Sequence, residues 1–374
     1  MLEELLNPTE YPFWILIIMI IIGTTAIISR PFSTYVKFVY PNAKFEAMGN
    51  PYLNEKNLNT LIESKNLTDF KENLNTHKDY KIEGETTYDI QKSLDNLLYQ
   101  NIQMMKKDSS KKMNKFYNTY IEKIDIYLVK KELRNKLENN EVNEKSIENA
   151  ILSTTKKLLY NIKETSTEKL SQVLLEYGID QDITRELSNE KIDYIKINNI
   201  IDKYITNKLI KVKVPYKCEQ GKNNFIKTYL DIYNIKFLLR SKKLDFNKET
   251  CMKYFNIEGR EIAKWKYEQL ADMDGIGQII SGLEGTSYYE ILKNSIEEYN
   301  KEKTVQILEN QLDNLLLKIL KEISIKNYTT IGPTLRFLVY KEYEIQNLKI
   351  IAKGVAENLS KDIIKKFLIM DGAL

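Results

Sequence analysis

The chain has 374 residues, of which 43% are hydrophobic and 29% are charged, so its composition supports a folded core and excludes a wholly disordered chain. Its 56 Lys and Arg residues nearly balance 52 Asp and Glu residues, and the net charge of +4 gives no general attraction to nucleic acid. The sequence has only 13 glycines and 7 prolines, which predicts long and seldom interrupted elements.

The first predicted element is an apolar run over residues 11–29, which follows a short tip over residues 1–10. A helix that rises about 1.5 Å per residue over this run is about 28 Å long, close to the thickness of a bilayer core. Tyr11 and Trp14 lie at one end of the run, where interfacial aromatic residues are common. The run therefore predicts a single transmembrane helix.

Charges on the two sides of this run predict its orientation. Acidic residues precede the run and basic residues follow it: Glu3, Glu4 and Glu10, then Arg30, Lys37 and Lys44. A cleaved signal peptide, the competing interpretation, would carry basic residues before the apolar run. The positive-inside bias predicts an external N-terminus and a cytoplasmic body at the cell membrane. Glycosylation at either sequon, Asn66 or Asn327, would contradict this orientation.

Three segments further along the chain align without gaps, which indicates an internal repeat. The first covers residues 125–136 and the second covers residues 231–242, and these two agree at seven of twelve positions. The third, residues 344–353, keeps the initial acid, the apolar pair, the Lys and the final cation. Upstream of each segment another predicted helix begins near Asp95, Asp202 or Asp313. From this Asp to the later acid the spacings are 30, 29 and 31 residues.

A chain breaker lies between the two helices of each copy, so each copy reads as a helical hairpin. The breakers are Asp108-Ser109-Ser110, Pro215 with Gly221, and Gly332-Pro333. The copies recur after 107 and 111 residues, the size of small domains. We expect units over residues 30–145, 146–253 and 254–374. Shorter helices are predicted at residues 53–61, 67–74, 262–270 and 276–283, and no long alternating run predicts a strand.

The second helix of each copy carries an apolar stripe and, on another face, a pair of cations. The apolar stripes are Ile126, Val129 and Leu133, then Ile232, Ile235 and Leu239, then Ile345 and Leu348. The cations are Lys130 and Arg134, Lys236 and Arg240, and Lys349 and Lys353. In one interpretation they brace each hairpin by pairing with Asp95, Asp202, Asp313, Asp125, Asp231 and Glu344. In the other, three equivalent cationic faces point to a common axis and receive one central partner.

The turn of the first hairpin is rich in lysine: Lys106, Lys107, Lys111, Lys112 and Lys115. A solvated surface is the simplest interpretation, and contact with lipid headgroups or with an acidic protein partner is the alternative.

Residues suited to catalysis are scarce, so the sequence predicts a protein that is not an enzyme and needs no metal, cofactor or small-molecule substrate. The single histidine, His77, lies in a polar stretch, and Cys218 and Cys251 lack the paired spacing of a zinc or disulfide site. There is no phosphate-binding loop or nucleophile elbow. Asp272 to Gly275 resembles the start of a calcium loop but lacks its later ligands, and a plain turn is expected there.

Three stretches resemble the C subunits of archaeal A-type ATP synthases, which are relatives of the d subunits of vacuolar ATPases. The stretch at residues 40–48, followed by Tyr52 and Leu53, resembles the opening of that family. Residues 231–240 resemble its repeated helix of an acid, Ile, Asn-Leu-Lys and Leu-Arg, and residues 340–349 resemble the closing copy. The resemblance covers about residues 35–370.

This resemblance implies an all-α fold in which three pseudo-symmetric hairpin units form a funnel. The family implies a non-catalytic component of the central rotor of a proton- or sodium-coupled ATP synthase. Its expected partners are the proteolipid subunits of the membrane rotor ring, the central-stalk subunits and the lipid bilayer, and its expected role is to transmit torque. A membrane-anchored helical scaffold unrelated to an ATPase is the alternative.

Two features depart from the family pattern. The family is usually soluble, whereas this chain adds a membrane span, which we expect to enter the lipid-filled centre of the rotor ring. The third copy has Ala352 and Lys353 where the others have Leu and Arg. Lys cannot replace Arg in bidentate pairing, so a different third contact is expected.

Overall fold

The computed structural model describes residues 7–48 and 55–369, which form helices and connecting turns without a β-strand. The N-terminal third contains α1 (Tyr11–Ala47), α2 (Glu55–Ile62), α3 (Leu67–Asn75), α4 (Thr87–Asp108) and α5 (Asn114–Leu137). The middle contains α6 (Glu144–Asn149), α7 (Ser153–Glu164), α8 (Leu170–Tyr177), α9 (Asp182–Leu187), α10 (Tyr194–Lys211) and α11 (Glu219–Lys243). The remainder contains α12 (Lys248–Lys253), α13 (Lys264–Ala271), α14 (Ile276–Gly282), α15 (Tyr289–Asn294), α16 (Ile296–Glu302), α17 (Gln306–Lys326), α18 (Gly332–Ala356) and α19 (Lys361–Lys366).

The short helices predicted at residues 67–74, 262–270 and 276–283 correspond to α3, α13 and α14, with ends shifted by one or two residues. The helix predicted at residues 53–61 corresponds to α2, although its first two residues lie outside the described part, as do Tyr52 and residues 1–6 of the N-terminal tip. The expected unit boundary at residue 145 falls inside α6, and the one at residue 253 falls at the end of α12.

Helix α1 has two parts with different surroundings. Its first part is apolar and exposed, and α1 is long and apolar enough to cross a membrane, with a mean hydropathy of 2.3 over its most apolar 18 residues. Its second part packs against the body, where Phe38 and Phe45 are buried and the Phe45 ring stacks on Phe337 with centroids 5.2 Å apart. The helix continues through Pro31 and Pro41 to Ala47, well beyond the predicted apolar run.

The second part of α1 contacts residues in or beside all three turns that join the long helices. These turns, at residues 109–113, 212–218 and 327–331, are here called the turn end. Lys44 Nζ lies 2.7 Å from Asp108 Oδ2, beside the first turn. The Arg30 guanidinium lies over the Tyr216 ring of the second turn, 4.4 Å from its centroid. The Asn42 amide donates hydrogen bonds of 2.7 and 2.8 Å to two carbonyl oxygens of the third turn. The apolar part of α1 therefore leaves the body at the turn end.

Packing between the long helices follows a cyclic order. Helix α5 packs on α10, α11 packs on α17, and α18 packs on α4. The second helix of each sequence copy thus lies against the first helix of the next copy, and the third copy returns to the first. Helices α17 and α18 also pack closely on each other, whereas α4 with α5 and α10 with α11 make less contact within their own copies.

The apolar stripes predicted from the repeat are buried. All of Ile126, Val129, Leu133, Ile232, Ile235, Leu239, Ile345 and Leu348 are at most 4% exposed. They fall into two cores, because the C-terminal half of α5 packs with apolar residues between 142 and 201 while the remaining helices share a second core.

The predicted breakers contribute to the turns in different ways. Pro215 lies in the second turn, and Gly332-Pro333 forms the first turn of α18, where proline is tolerated because its missing N–H is not needed. Gly221 instead lies inside α11. A Cβ at this position would lie 2.9 Å from the Ile331 side chain of the third turn, so glycine permits this close approach.

Asp125 and Asp231 hold the chain segments that follow their helices. Asp125 accepts hydrogen bonds of 2.8 to 3.0 Å from the N–H groups of Ile151 and Leu152, at the start of α7. Asp231 is fully buried and accepts four hydrogen bonds, from the N–H groups of residues 260–262 and from the Tyr288 hydroxyl. These carboxylates therefore fasten the path of the chain between one copy and the next.

We expect Asp231→Ala to lower the free energy of unfolding by about 3 kcal/mol or more, because four donors, two buried and two part-buried, lose their acceptor. Tyr288→Phe removes one of these bonds and should cost about 1 kcal/mol. Glu141→Ala, at an exposed acid, is the matched control and should stay within about 0.5 kcal/mol of the original chain. Denaturant unfolding in detergent measures all three, and an Asp231→Ala midpoint equal to that of Glu141→Ala would contradict this role.

Candidate functional site

Three lysines and three aspartates of the repeat form ion pairs between successive copies. Lys130 Nζ of α5 lies 2.8 Å from Asp202 Oδ1 of α10, and Lys236 Nζ of α11 lies 2.5 Å from Asp313 Oδ2 of α17. Lys349 of α18 pairs with Asp95 of α4 and joins the third copy to the first. These contacts, here called the three Lys–Asp pairs, follow the same cyclic order as the helix packing.

The partners of these charges differ from those expected for pairing within each hairpin. Asp125 and Asp231 bind backbone N–H groups, and Glu344 binds the Tyr80 hydroxyl and Lys341. The reason is helical geometry, because residues five apart, such as Asp125 and Lys130, lie about 140° apart around a helix axis. The acid faces the following segment while the lysine faces the next copy.

Tyrosine hydroxyls support two of the pairs. Tyr233 donates a 3.0 Å hydrogen bond to Asp202 Oδ2, and Tyr343 donates a 2.9 Å hydrogen bond to Asp313 Oδ1. Burial raises the pKa of both tyrosines far above the usual value, so their hydroxyls stay protonated and act as donors. The two carboxylates therefore keep their positions facing the lysines.

At the centre, the second helices of the three copies meet around a partly buried ion pair. Lys123 Nζ of α5 lies 2.8 and 3.0 Å from the two carboxylate oxygens of Glu342 in α18, and Tyr120 donates a hydrogen bond to the same carboxylate. The Lys123 ammonium also lies 5.2 Å from the ring centroid of Tyr229 in α11. Burial opposes the charge of Lys123, but Glu342 together with Tyr229 and Asp202 favours it, and the net result is a raised pKa for this lysine.

Two adjoining cavities, of about 440 and 560 Å³, surround this centre and are here called the central cavities. Both are lined by Lys123, Lys130, Asp202, Tyr229, Tyr233, Glu342 and Gln346. One also reaches Lys236 and Asp313, and the other reaches Asp95 and Lys349. The three Lys–Asp pairs therefore join neighbouring copies and also line a shared central space. That one central partner enters this space stays a prediction.

The final cation of each copy has a different environment. Arg134 pairs with Glu138, the residue that follows the end of its own helix, with 2.8 Å between Nε and Oε1. Arg240 makes a bidentate pair with Glu309 of the next copy, and this hydrogen bond raises the pKa of Arg240. Lys353 is exposed near the end of α18. Among the described residues, the final cation makes a bidentate contact only in the second copy. The third copy, which has Lys in place of Arg, therefore differs at a position where the bidentate contact is not repeated.

Sequence reasoning missed the central charges, Lys123 and Glu342, and the acid Glu309. Lys123 and Glu342 occupy the same position of the repeat, two residues before the aligned acid, but the second copy has Tyr229 there, so residue type gives no repeat signal at this position. It also missed Glu122, a buried acid that accepts hydrogen bonds from Tyr177, Tyr204 and Lys208. Only their position two or three residues before the repeated segment, less than one helical turn, could have drawn attention to Glu122 and Lys123.

The other residues that the sequence singled out lie apart from the central cavities. His77 is half-buried beside Tyr80, and Asp272 to Gly275 form the turn between α13 and α14. Cys218 and Cys251 are both buried and unpaired, and burial raises the pKa of Cys218 to about 12. In the described part of the chain, no group of three or more His, Cys, Asp and Glu side chains is arranged to hold a metal ion.

A sequence profile of the ATP synthase (C/AC39) subunit matches residues 41–367, which is most of the chain and contains all three Lys–Asp pairs. The chain belongs to this family of ATP synthase subunits.

Individual relatives have consistent names. The chain is 27% identical over 350 residues to the C subunit of the A-type ATP synthase of Methanobrevibacter smithii, covering 91% of this chain and 90% of that protein. It is 25% identical over 374 residues to the protein of the same name from Methanosphaera stadtmanae, covering 97% and 96%. A match of 39% identity to the protein of that name from Methanocaldococcus jannaschii covers 145 residues, which are 39% of this chain and 36% of that protein.

The sequence suggested that the apolar helix departs from the family pattern, and these alignments show how far along the chain the similarity extends. The family profile begins at residue 41, after the apolar run. The alignment with the Methanosphaera protein leaves out only about a dozen residues of this chain, since 97% of 374 residues are covered. It therefore reaches into the apolar run.

A double-mutant cycle should show that the Lys–Asp pairs are coupled energetically. We expect Lys236→Met and Asp313→Asn to give a coupling free energy of about 1 to 2 kcal/mol, because both side chains are less than 20% exposed. Asn keeps an acceptor for the Tyr343 hydroxyl. The exposed pair Arg134 and Glu138, taken through the same cycle, should give less than about 0.5 kcal/mol. Equal couplings for the two pairs, measured by denaturant unfolding, would contradict the bracing role.

Proposed function

We propose that the protein is a non-catalytic component of the central rotor of a proton- or sodium-coupled A-type ATP synthase. In this role it links the membrane rotor ring to the central stalk and transmits torque between them. The observation that carries the proposal is the cyclic set of three Lys–Asp pairs around the central cavities. Torque is transmitted only by a body that resists twisting, and a closed cycle of braced contacts supplies that resistance.

The central cavities are the proposed socket for the foot of the stalk. Lys130, Lys236 and Lys349 each lie 16 to 17 residues after the start of their helix, or about 25 Å from the turn end at 1.5 Å per residue. The stalk would therefore enter from the opposite end, here called the far end, where α5, α11 and α18 finish. A funnel of three hairpin units fits this separation between the turn end and the far end, where the stalk would enter.

Helix α1 is the proposed membrane span, with its N-terminus outside and the helical body in the cytoplasm. Glu10 precedes the exposed apolar part, and Arg30 follows it beside the Tyr216 ring, which agrees with the positive-inside bias. Because α1 leaves the body at the turn end, that end would face the rotor ring. We propose that the span enters the lipid-filled centre of the ring.

The alternative of a scaffold unrelated to an ATPase loses its support because the chain belongs to the ATP synthase (C/AC39) subunit family.

A substitution that narrows the proposed socket should weaken binding of the central stalk and leave binding of the rotor ring unchanged. Gln346 is exposed and lines both central cavities, so Gln346→Trp narrows them without breaking a Lys–Asp pair. We expect the tagged Gln346→Trp chain to recover at least about tenfold less central-stalk protein from detergent extracts, because blocking a buried contact has an effect of this size. Recovery of rotor-ring subunits should be unchanged. Gln172→Trp, at an exposed position of α8, is the matched control and should recover both central-stalk and rotor-ring proteins. Failure of the original chain to recover any ATPase subunit would contradict the proposal.

The position of the span can be tested by crosslinking. A photoreactive amino acid in place of Trp14, which is half exposed on α1, should form crosslinks to rotor-ring subunits and to lipid within the ring. Mass spectrometry of the crosslinked intact complex identifies the partners. Crosslinks confined to stator subunits or to lipid outside the ring would contradict the proposed position.

A further inference from the structure

We infer that the turn end is a cationic surface that binds the headgroups of anionic phospholipids in the bilayer that α1 enters. This inference rests on the proposal that α1 spans the membrane, and it adds a partner that the fold and the family membership leave undefined.

The turn end has an excess of positive charge that the rest of the chain does not share. Exposed lysines lie on or beside the first and second turns: Lys107, Lys111, Lys112, Lys115, Lys211, Lys213 and Lys217. In the described part of the chain none of them has a carboxylate within 4.0 Å. Three acids beside the turns are already paired, since Asp108 contacts Lys44, Glu219 contacts Lys222, and Glu322 contacts Lys326. The whole chain has a net charge of only +4.

Lysines beside the first two turns line one groove. Lys115 at the start of α5 and Lys211 and Lys213 at the end of α10 all line it, and its volume is about 1290 Å³. Seven lysines and three acids line this groove in all, so its charge is positive on balance. A phosphate group that enters this groove meets ammonium groups from two copies. The cations are therefore concentrated at one place, as recognition of a small anionic headgroup requires.

Aromatic residues at the same end favour a membrane over an acidic protein. Tyr216 of the second turn is 43% exposed and Tyr328 of the third turn is 54% exposed. Tyrosine beside lysine is the composition of a bilayer interface, where an amphipathic ring lies at the level of the headgroups. Arg30, the first cation after the apolar run, lies against Tyr216, so this turn is at the level where α1 leaves the bilayer.

Native mass spectrometry of the full chain tests the inference through the lipids that stay bound. The chain is reconstituted with equal amounts of phosphatidylglycerol and phosphatidylcholine and then extracted in mild detergent. We expect the chain to retain at least about fivefold more phosphatidylglycerol than phosphatidylcholine. The reason is that each lysine near an anionic bilayer surface strengthens the attraction to it roughly fivefold. Lys111→Glu/Lys112→Glu should remove most of this preference.

Lys243→Glu/Lys353→Glu, with the same change of charge at exposed positions of the far end, is the matched control and should keep the preference. Equal retention of the two lipids by the original chain, or an unchanged preference in Lys111→Glu/Lys112→Glu, would overturn the inference. A third result would also overturn the inference. If the turn lysines are protected from acetylation only when rotor-ring subunits are present, whatever the lipid charge, the partner is an acidic protein. Extraction of the chain from vesicles by alkaline carbonate would refute the span itself, which is a separate outcome.

Discussion

The structure depends on the contact between the second helix of each copy and the first helix of the next. Apolar stripes supply the burial along these contacts, and one partly buried Lys–Asp pair fixes each of them. Because the contact between α18 and α4 returns to the first copy, the helices form a closed cycle rather than an open row. Opening one contact in a closed cycle disturbs the others, whereas an open array of repeats can separate at any interface.

The same arrangement explains why the charged residues lie around a central space. A second helix that packs on its neighbour presents its lysine to that neighbour's aspartate, and all three such contacts face inward around the second helices. Lys123 and Glu342 then bridge the first and third copies at the centre, where neither charge would be stable without the other. The central cavities are thus lined by groups whose positions are already fixed, which favours binding of a rigid partner.

Sequence reasoning predicted the long helices and the repeated charges because both follow from local periodicity. The stripe from Ile126 to Leu133 and its counterparts specify buried faces whatever the tertiary arrangement. The partners were not predictable in this way. Whether Lys130 meets an aspartate of its own copy or of the next depends on how closely α4 and α5 pack, which is a long-range property. Helical geometry alone, however, separates Asp125 from Lys130. The central residues Lys123, Tyr229 and Glu342 share one repeat position but differ in type, so the pattern of repeated charges does not reveal them.

The most direct test of the central claim is electron microscopy of the intact ATP synthase with a label on the C-terminus of this chain. A rotor component in the proposed position has its label close to the rotation axis, between the membrane ring and the catalytic head. A label at the periphery, beside the stator stalks, would contradict the account, because a protein there cannot transmit torque between the ring and the central stalk.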